Sequence, residues 1–415
     1  MCGNSHFDLV VIRIVRRVVV VCCVIGLAAA CSSNKGVTDS TTGQPAATTS
    51  TDGGESVTTT LEPAISSTSS TSSTTTTLPD GIEGFPAGPL APRLGTSVVW
   101  TGEEMIVWGG CDAEPCRTRF ADGAAFDPDT GVWRMIAESP LDGLSYHSAG
   151  WSGTEMLIVG GPNAAAYSPD SDSWRLLPDP PFRVSFKRPD GSGGWDYVGA
   201  LWADGRYVIW EPISDQVAAY EPASDSWVDL PSTGLDVDLG VLRWNGTDLV
   251  ALGALTAGFP ERVPMQGARL VDGVWMPMPT AELWDETYNI RARPYLSGWA
   301  GEVLVAWTDS GSDAGRTMTY TPGADSWTEI ETVPLLGGEA WPEPMPIGDR
   351  LIVFHHVRAA IYDSDPDSWT VVNIPYAEAG RAVWTGSEIL FWGEVCCYGT
   401  GDPFRVEAWR YTPSD

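Results

Sequence analysis

An all-β fold, a ring of seven four-stranded blades or β-propeller, is predicted for this 415-residue chain by three observations. The first is a block that recurs at blade-sized intervals: a Trp-x-Gly turn, an aliphatic run often closed by Gly-Gly, then Tyr-x-Pro-x-x-Asp-Ser-Trp. Its clearest copies run from Trp100 to Gly110 with Phe126 to Trp133, and from Trp151 to Gly161 with Tyr167 to Trp174. Repeats of this period mark propellers or solenoids. The second is a set of seven hairpin signals: Thr101-Gly102, Ser152-Gly153, Asp204-Gly205, Asn245-Gly246, Ala300-Gly301, Gly348-Asp349 and Thr385-Gly386, each between apolar runs. Such runs joined by Asn-Gly or Asp-Gly type pairs read as tight antiparallel hairpins with two-residue turns. The third is that the chain ends complement each other. Tyr411-Thr-Pro stops before an outer strand would begin, while residues 81–92 precede the first blade with none of their own. The segment around Phe85 to Leu90 is therefore expected to pair onto the last blade and seal the ring, removing an open sheet edge.

Three regions follow in order. Residues 1–30 carry Arg13, Arg16 and Arg17 before the apolar run Val18 to Ala30. That run is too short to span a bilayer as a mature helix, and the small residues at its end fit a cleaved export signal. Leu27-Ala28-Ala29-Ala30-Cys31 resembles the bacterial lipobox, with Ala28 where Leu is more usual; the resemblance implies lipidation of Cys31 and an anchor on the outer face of the membrane. Residues 31–80 are the lipidated Cys and a linker. From 32 to 79, 26 of 48 residues are Ser or Thr and none is Trp or Tyr. Such a segment buries too little apolar surface to offset chain entropy and is expected to be a disordered tether, with an end-to-end distance of about 40 Å.

Residues 81–415 form the propeller. The motif that joins the third and fourth strands appears as Phe126 to Trp133, Tyr167 to Trp174, Tyr220 to Trp227, Tyr320 to Trp327 and Tyr362 to Trp369. In the fourth unit Leu270-Val-Asp-Gly-Val-Trp275 lacks both the aromatic and the proline, so its turn is expected to be shorter. Ser145-Tyr-His147 through Gly160-Gly161, followed by Tyr167-Ser-Pro to Trp174, resembles a kelch repeat. The likeness covers nearly all of 81–415 and implies a seven-bladed propeller of kelch type.

Composition narrows function. The propeller region has 48 acidic and 20 basic side chains, with one lysine, Lys187. Nucleic acid is excluded as a partner, because phosphate affinity rests on Lys and Arg. Kelch-like copper-radical oxidases need two histidines at the metal. Outside the signal this chain has only His147, His355 and His356, of which the last two are adjacent in a strand and face opposite ways. No cofactor or metal is assigned. The acidic turns are assigned to backbone bonding by Asp, not to calcium. A monomer is expected.

Long segments fall between second and third strands and between blades, on one face, where binding groups ride on loops held by a rigid frame. One carries Phe182, Arg183, Phe186, Lys187, Arg188 and Trp195; another carries Trp284, Tyr288, Arg291, Arg293 and Tyr295. Aromatic faces beside guanidinium groups suit sugars or carboxylates. Arg93, His147 and Arg381 stand near the starts of inner strands and are candidates for the channel mouth. The region has four cysteines, Cys111, Cys116, Cys396 and Cys397. In an exported protein they read as disulfides, either across the blades or as local pairs. The expected function is a binding or scaffold module for a protein or envelope glycan, with a carbohydrate-active enzyme working at the channel mouth as the alternative.

Overall fold

The computed structural model describes residues 78–79, 81–112, 116–183, 199–255, 264–281, 283, 296–307, 316–334, 344–355, 357–375, 381–395 and 405–413. It forms seven four-stranded antiparallel sheets. The innermost strands, in blade order, are Ser97–Trp100, Ser148–Trp151, Gly199–Ala203, Leu239–Trp244, Ser297–Ala300, Met345–Ile347 and Arg381–Trp384. Each lies against the next, and the seventh lies against the first, so the ring is closed. Seven buried clusters fill the seven junctions between neighbouring blades, each drawing apolar side chains from both. The molecule is thus a seven-bladed β-propeller. Antiparallel order places the hairpin turns at one end of the channel, the turn side. The second-to-third loops and the blade-to-blade connections lie at the other end, the loop side.

The inner hairpins are of two kinds. In blades 3, 5 and 6 the turn has two residues, with Ala203 opposite Arg206, Ala300 opposite Val303 and Ile347 opposite Arg350; the pairs are those expected in blades 3 and 6, while in blade 5 the turn is Gly301-Glu302, one residue later than expected. In blades 1, 2, 4 and 7 it has four, with Trp100 opposite Met105, Trp151 opposite Met156, Trp244 opposite Leu249 and Trp384 opposite Ile389. The first turn residue explains the difference. Thr101, Ser152, Asn245 and Thr385 each accept, through a side-chain oxygen, the backbone N–H three residues on, at 2.7 to 3.0 Å. These side chains supply locally what a two-residue turn takes from its strands.

The Tyr-x-Pro-x-x-Asp-Ser-Trp motif also resolves into physics. Asp172, Asp225, Asp325 and Asp367 sit at φ between 43° and 60°, a left-handed conformation that Asp tolerates better than most residues. Each carboxylate accepts the hydroxyl of the Tyr five residues earlier, at 2.6 to 2.7 Å. The Trp tilts against that Tyr, with ring centroids 5.0 to 5.6 Å apart. Its indole N–H donates into the chain leading away from the preceding blade, as Trp174 does to the Ala137 carbonyl and Trp227 to that of Pro178. One motif therefore closes a turn and fastens two blades. In blade 4 the turn shortens as expected, with Val271 opposite Val274 across Asp272-Gly273.

A further fastening joins both turn systems on the turn side. Glu104 and Glu155, each at the end of a four-residue hairpin turn, hold Arg134 and Arg175 on the outer strands of their blades with two bonds apiece. Each Arg then crosses to the next blade. Arg134 donates to the Tyr167 hydroxyl and lies 3.6 Å from Asp172, while Arg175 donates to the Tyr220 hydroxyl and to Asp225. The bonds to Glu104 and to Glu155 raise the pKa of their guanidinium groups, and burial pushes the Tyr167 phenol up to about 12.

The last blade closes as expected in kind but not in register. Its fourth strand is Ile82–Gly84, with Ile82 opposite Tyr411 and Gly84 opposite Trp409, extended by the Phe85 N–H bonding the Ala408 carbonyl. The expected segment, Phe85 to Leu90, pairs only through its first residue. Pro86 and Pro89 have no N–H to offer a ladder. Phe85 instead stacks on Phe126 at 4.3 Å, and the next carbonyls receive indole N–H groups, Pro86 from Trp133 and Ala87 from Trp392. The segment bridges blades 7 and 1.

Candidate functional site

At the loop-side mouth, the lead-ins to the inner strands of blades 7, 1 and 2 come together. Arg93 precedes the first inner strand and is only 2% exposed. Two bonds hold it to Asp122, a third reaches the Gly109 carbonyl, and its guanidinium lies 4.2 Å over the Phe120 ring. It is thus a tie between the lead-in to blade 1 and the second-to-third loop of that blade, not a lining group.

His147 precedes the inner strand of blade 2. Its Nε2 lies 2.8 Å from the Ser97 hydroxyl, and its ring meets the edge of Trp108 at 4.9 Å. Gly109-Gly110 is what lets the neighbouring chains come so close. A Cβ on Gly109 would sit 2.7 Å from His147 Cε1, and one on Gly110 would sit 2.8 Å from the Leu94 carbonyl; both glycines also take positive φ, 72° and 97°. Burial, helped by the charge of Arg381, lowers the imidazole pKa to about 3. The ring is neutral at neutral pH, and its buried Nδ1 meets no partner among the described residues. A Ser beside a His suggests nucleophilic chemistry, but both side chains are more than nine-tenths buried, and a base serves best with a pKa near the working pH. The pair acts as a buried strut between blades 1 and 2.

Arg381 opens the inner strand of blade 7. It is half-buried, and its Nε donates to the Thr96 carbonyl at 3.3 Å. Among the described residues no carboxylate pairs with it, in contrast to Arg93. The structure therefore brings His147 and Arg381 together and adds Ser97 and Thr96, which the sequence reading missed. Ser97 was legible as the polar residue opening an otherwise apolar strand.

Of the loop candidates, Arg183 is described and exposed, beside the half-buried Phe182, which packs on the junction of blades 2 and 3. Lys187, Arg188, Trp195, Trp284, Tyr288, Arg291 and Arg293 lie outside the described residues, as do Cys31, Cys396 and Cys397. Cys111 and Cys116 form a disulfide, so the local pairing holds for these two and the cross-blade alternative does not. Cys111 also bridges Leu94 and Arg119, pinning the loop of blade 1 beside the lead-in to its inner strand. Among the described residues no group of three or more His, Cys, Asp or Glu side chains converges in a way that would hold a metal.

No protein-family model matches the sequence. No curated protein matches it at a significant level. Among solved structures it is similar to that of YjhT, at 10% identity and a TM-score of 0.46, covering 70% of this chain and 99% of the YjhT chain. The assignment of the fold rests on the seven closed sheets themselves.

Proposed function

We propose that the protein is an exported, lipid-anchored binding module of kelch type that recognises an anionic group of an envelope glycan or a protein at its loop side. One observation carries the reading. In a chain of net charge −30, Arg381 stands half-buried at the mouth without a carboxylate partner among the described residues, while Arg93, Arg134 and Arg175 are all paired with acids. A guanidinium kept from neighbouring acids suits a ligand oxyanion, which it grips with two parallel hydrogen bonds. Arg183 adds positive charge on the same face, together with the aromatic and basic loops read from the sequence.

The test is thermal unfolding of the protein against neutral sugars, acidic glycans and divalent metals. A ligand at about a hundred times its dissociation constant stabilises by about 2.7 kcal/mol. An acidic glycan that raises the melting temperature of the wild type but not of Arg381→Ala supports the reading; a response confined to metals or neutral sugars, or one unchanged in Arg381→Ala, overturns it.

A further inference from the structure

The turn-side end of the channel carries a feature that the loop-side reading does not use. Six of the seven inner strands place a tryptophan at one equivalent position: Trp100, Trp151, Trp202, Trp244, Trp299 and Trp384, the position that Pro346 takes in blade 6. Each packs against the cluster it shares with the preceding blade. Trp299 is fully buried there, but the other five remain half-buried at the end of the channel. By contrast Trp108, Trp210 and Trp392, one strand further out, are wholly enclosed.

Their hydrogen bonding differs from that of most tryptophans on the outer strands. Five of the six there, Trp133, Trp174, Trp227, Trp327 and Trp369, donate their indole N–H to a backbone carbonyl, while the sixth, Trp275, meets no acceptor among the described residues. Among the described residues no such bond is made by the five half-buried inner ones. Buried or interfacial indoles normally find an acceptor. Of the carboxylates in the adjoining turns, Glu104, Glu155, Asp248 and Glu388 each face an Arg of their own blade.

We propose that this tryptophan collar is a second binding site, on the opposite side from Arg381, and that it takes an uncharged pyranose ring. The C–H face of such a ring stacks on indole, and its hydroxyls accept the indole N–H groups. The site stands independently of the loop-side reading.

The experiment uses the full chain labelled with fluorotryptophan, observed by fluorine NMR, with the collar signals assigned through Trp100→Phe, Trp151→Phe, Trp202→Phe, Trp244→Phe and Trp384→Phe, each of which keeps an aromatic ring in the junction. The probes are maltotriose and cellotriose as neutral pyranoses, glucuronate as an acid, and triproline as an apolar peptide. The expected result is a saturable shift of collar signals with at least one neutral sugar, with Trp151→Phe or Trp244→Phe weakening binding by up to about tenfold. If one of these two variants fails to fold, the other carries the comparison. Collar signals that stay fixed with both sugars, that move only with triproline or glucuronate, or that move no more than those of Trp174 and Trp227 overturn the proposal. Arg381→Ala leaves these shifts intact, so failure at one mouth is told apart from failure at the other.

Discussion

At the junction of blades 1 and 2, Arg134 runs from Glu104 to the Tyr167 hydroxyl and Asp172. At the junction of blades 7 and 1 the similar role falls to Arg410, on the third strand instead of the fourth, which faces Glu388 at 3.4 Å and, among the described residues, then reaches only the Pro128 carbonyl at 3.0 Å. Blade 1 is the reason. It has Phe126 where blades 2, 3, 5 and 6 have Tyr, so no hydroxyl is present, and Gly131 where they have Asp, so no carboxylate is present. The closing junction compensates with material from outside the repeat: the Ile82–Gly84 strand, the Phe85 stack on Phe126 and indole bonds to the Pro86 and Ala87 carbonyls. Most junctions of a propeller are made by the repeat, whereas the last is made by whatever joins the ends. A break in the chain lead-in and a break in a clamp should therefore have very different effects.

The largest effect is expected from deleting residues 1–84. This strips blade 7 of its outer strand and leaves Arg405–Tyr411 as an open edge, a template for pairing with other chains. Urea unfolding and size-exclusion chromatography should show lost cooperativity and self-association. A monomer with the wild-type midpoint would place closure elsewhere, in the contacts of residues 85–95.

Acid comes next, through the strut between Ser97 and His147. Between pH 6.5 and about 3 the unfolded imidazole binds a proton that the folded one refuses, because burial and Arg381 hold its pKa near 3. Stability is full above pH 6.5 and falls as the pH drops toward 3, by up to several kcal/mol. Urea midpoints of the wild type should therefore decline more steeply over this range than those of His147→Gln. Parallel profiles would mean that water or local opening relieves the burial.

The disulfide ranks third. Cys111 and Cys116 are five residues apart, and closing so small a loop stabilises by about 2 kcal/mol in the chain-entropy picture. Cys111→Ser with Cys116→Ser should lower the unfolding free energy by that amount and raise proteolysis between Leu94 and Asp122. An unchanged midpoint would show that the Leu94 bridge and the Arg93 tie hold the loop without it.

Much of this architecture was legible in the chain and some was not, for local reasons. The blades were visible because a strand pattern followed by Tyr, Asp and Trp at constant spacing leaves few other folds. The lengths of four hairpin turns were misread, because Thr101-Gly102 and its equivalents resemble two-residue turns until the side-chain oxygen is seen bonding three residues on. The clamps were missed although the signal was present, in a Glu three places after the Thr or Ser and an Arg immediately after the motif Trp. Their pairing is a contact across strands, which spacing alone does not reveal. Of the mouth candidates, His147 and Arg381, 234 positions apart in the chain, meet on either side of the start of the first inner strand, at Ser97 and Thr96. Arg93 looked like a lining group because its partner Asp122 lies beyond a 29-residue separation.

The smallest effects sharpen the comparison most. Removing one clamp, by Arg134→Met or Arg175→Met, should cost about 1 kcal/mol and less at high salt, since both side chains are more than a third exposed; Arg410→Met should cost less. Tyr167→Phe should cost about 1 kcal/mol by taking the hydroxyl from Asp172 and Arg134. The converse change, Phe126→Tyr, should gain nothing alone, because Gly131 offers no acceptor. Gly131→Asp is sterically open, with no atom within 4 Å of an added Cβ, and its φ of 69° lies near the 43° to 60° of the Asp residues it would imitate. The double variant should rebuild in blade 1 the bond that Tyr167 makes with Asp172, so the two substitutions together should be more stable than the sum of their separate effects. A coupling energy of about 1 kcal/mol in that double-mutant cycle would show that the closing junction lacks only the motif. Strict additivity would show that the Phe85 stack has already committed the Phe126 ring to a geometry the clamp cannot use.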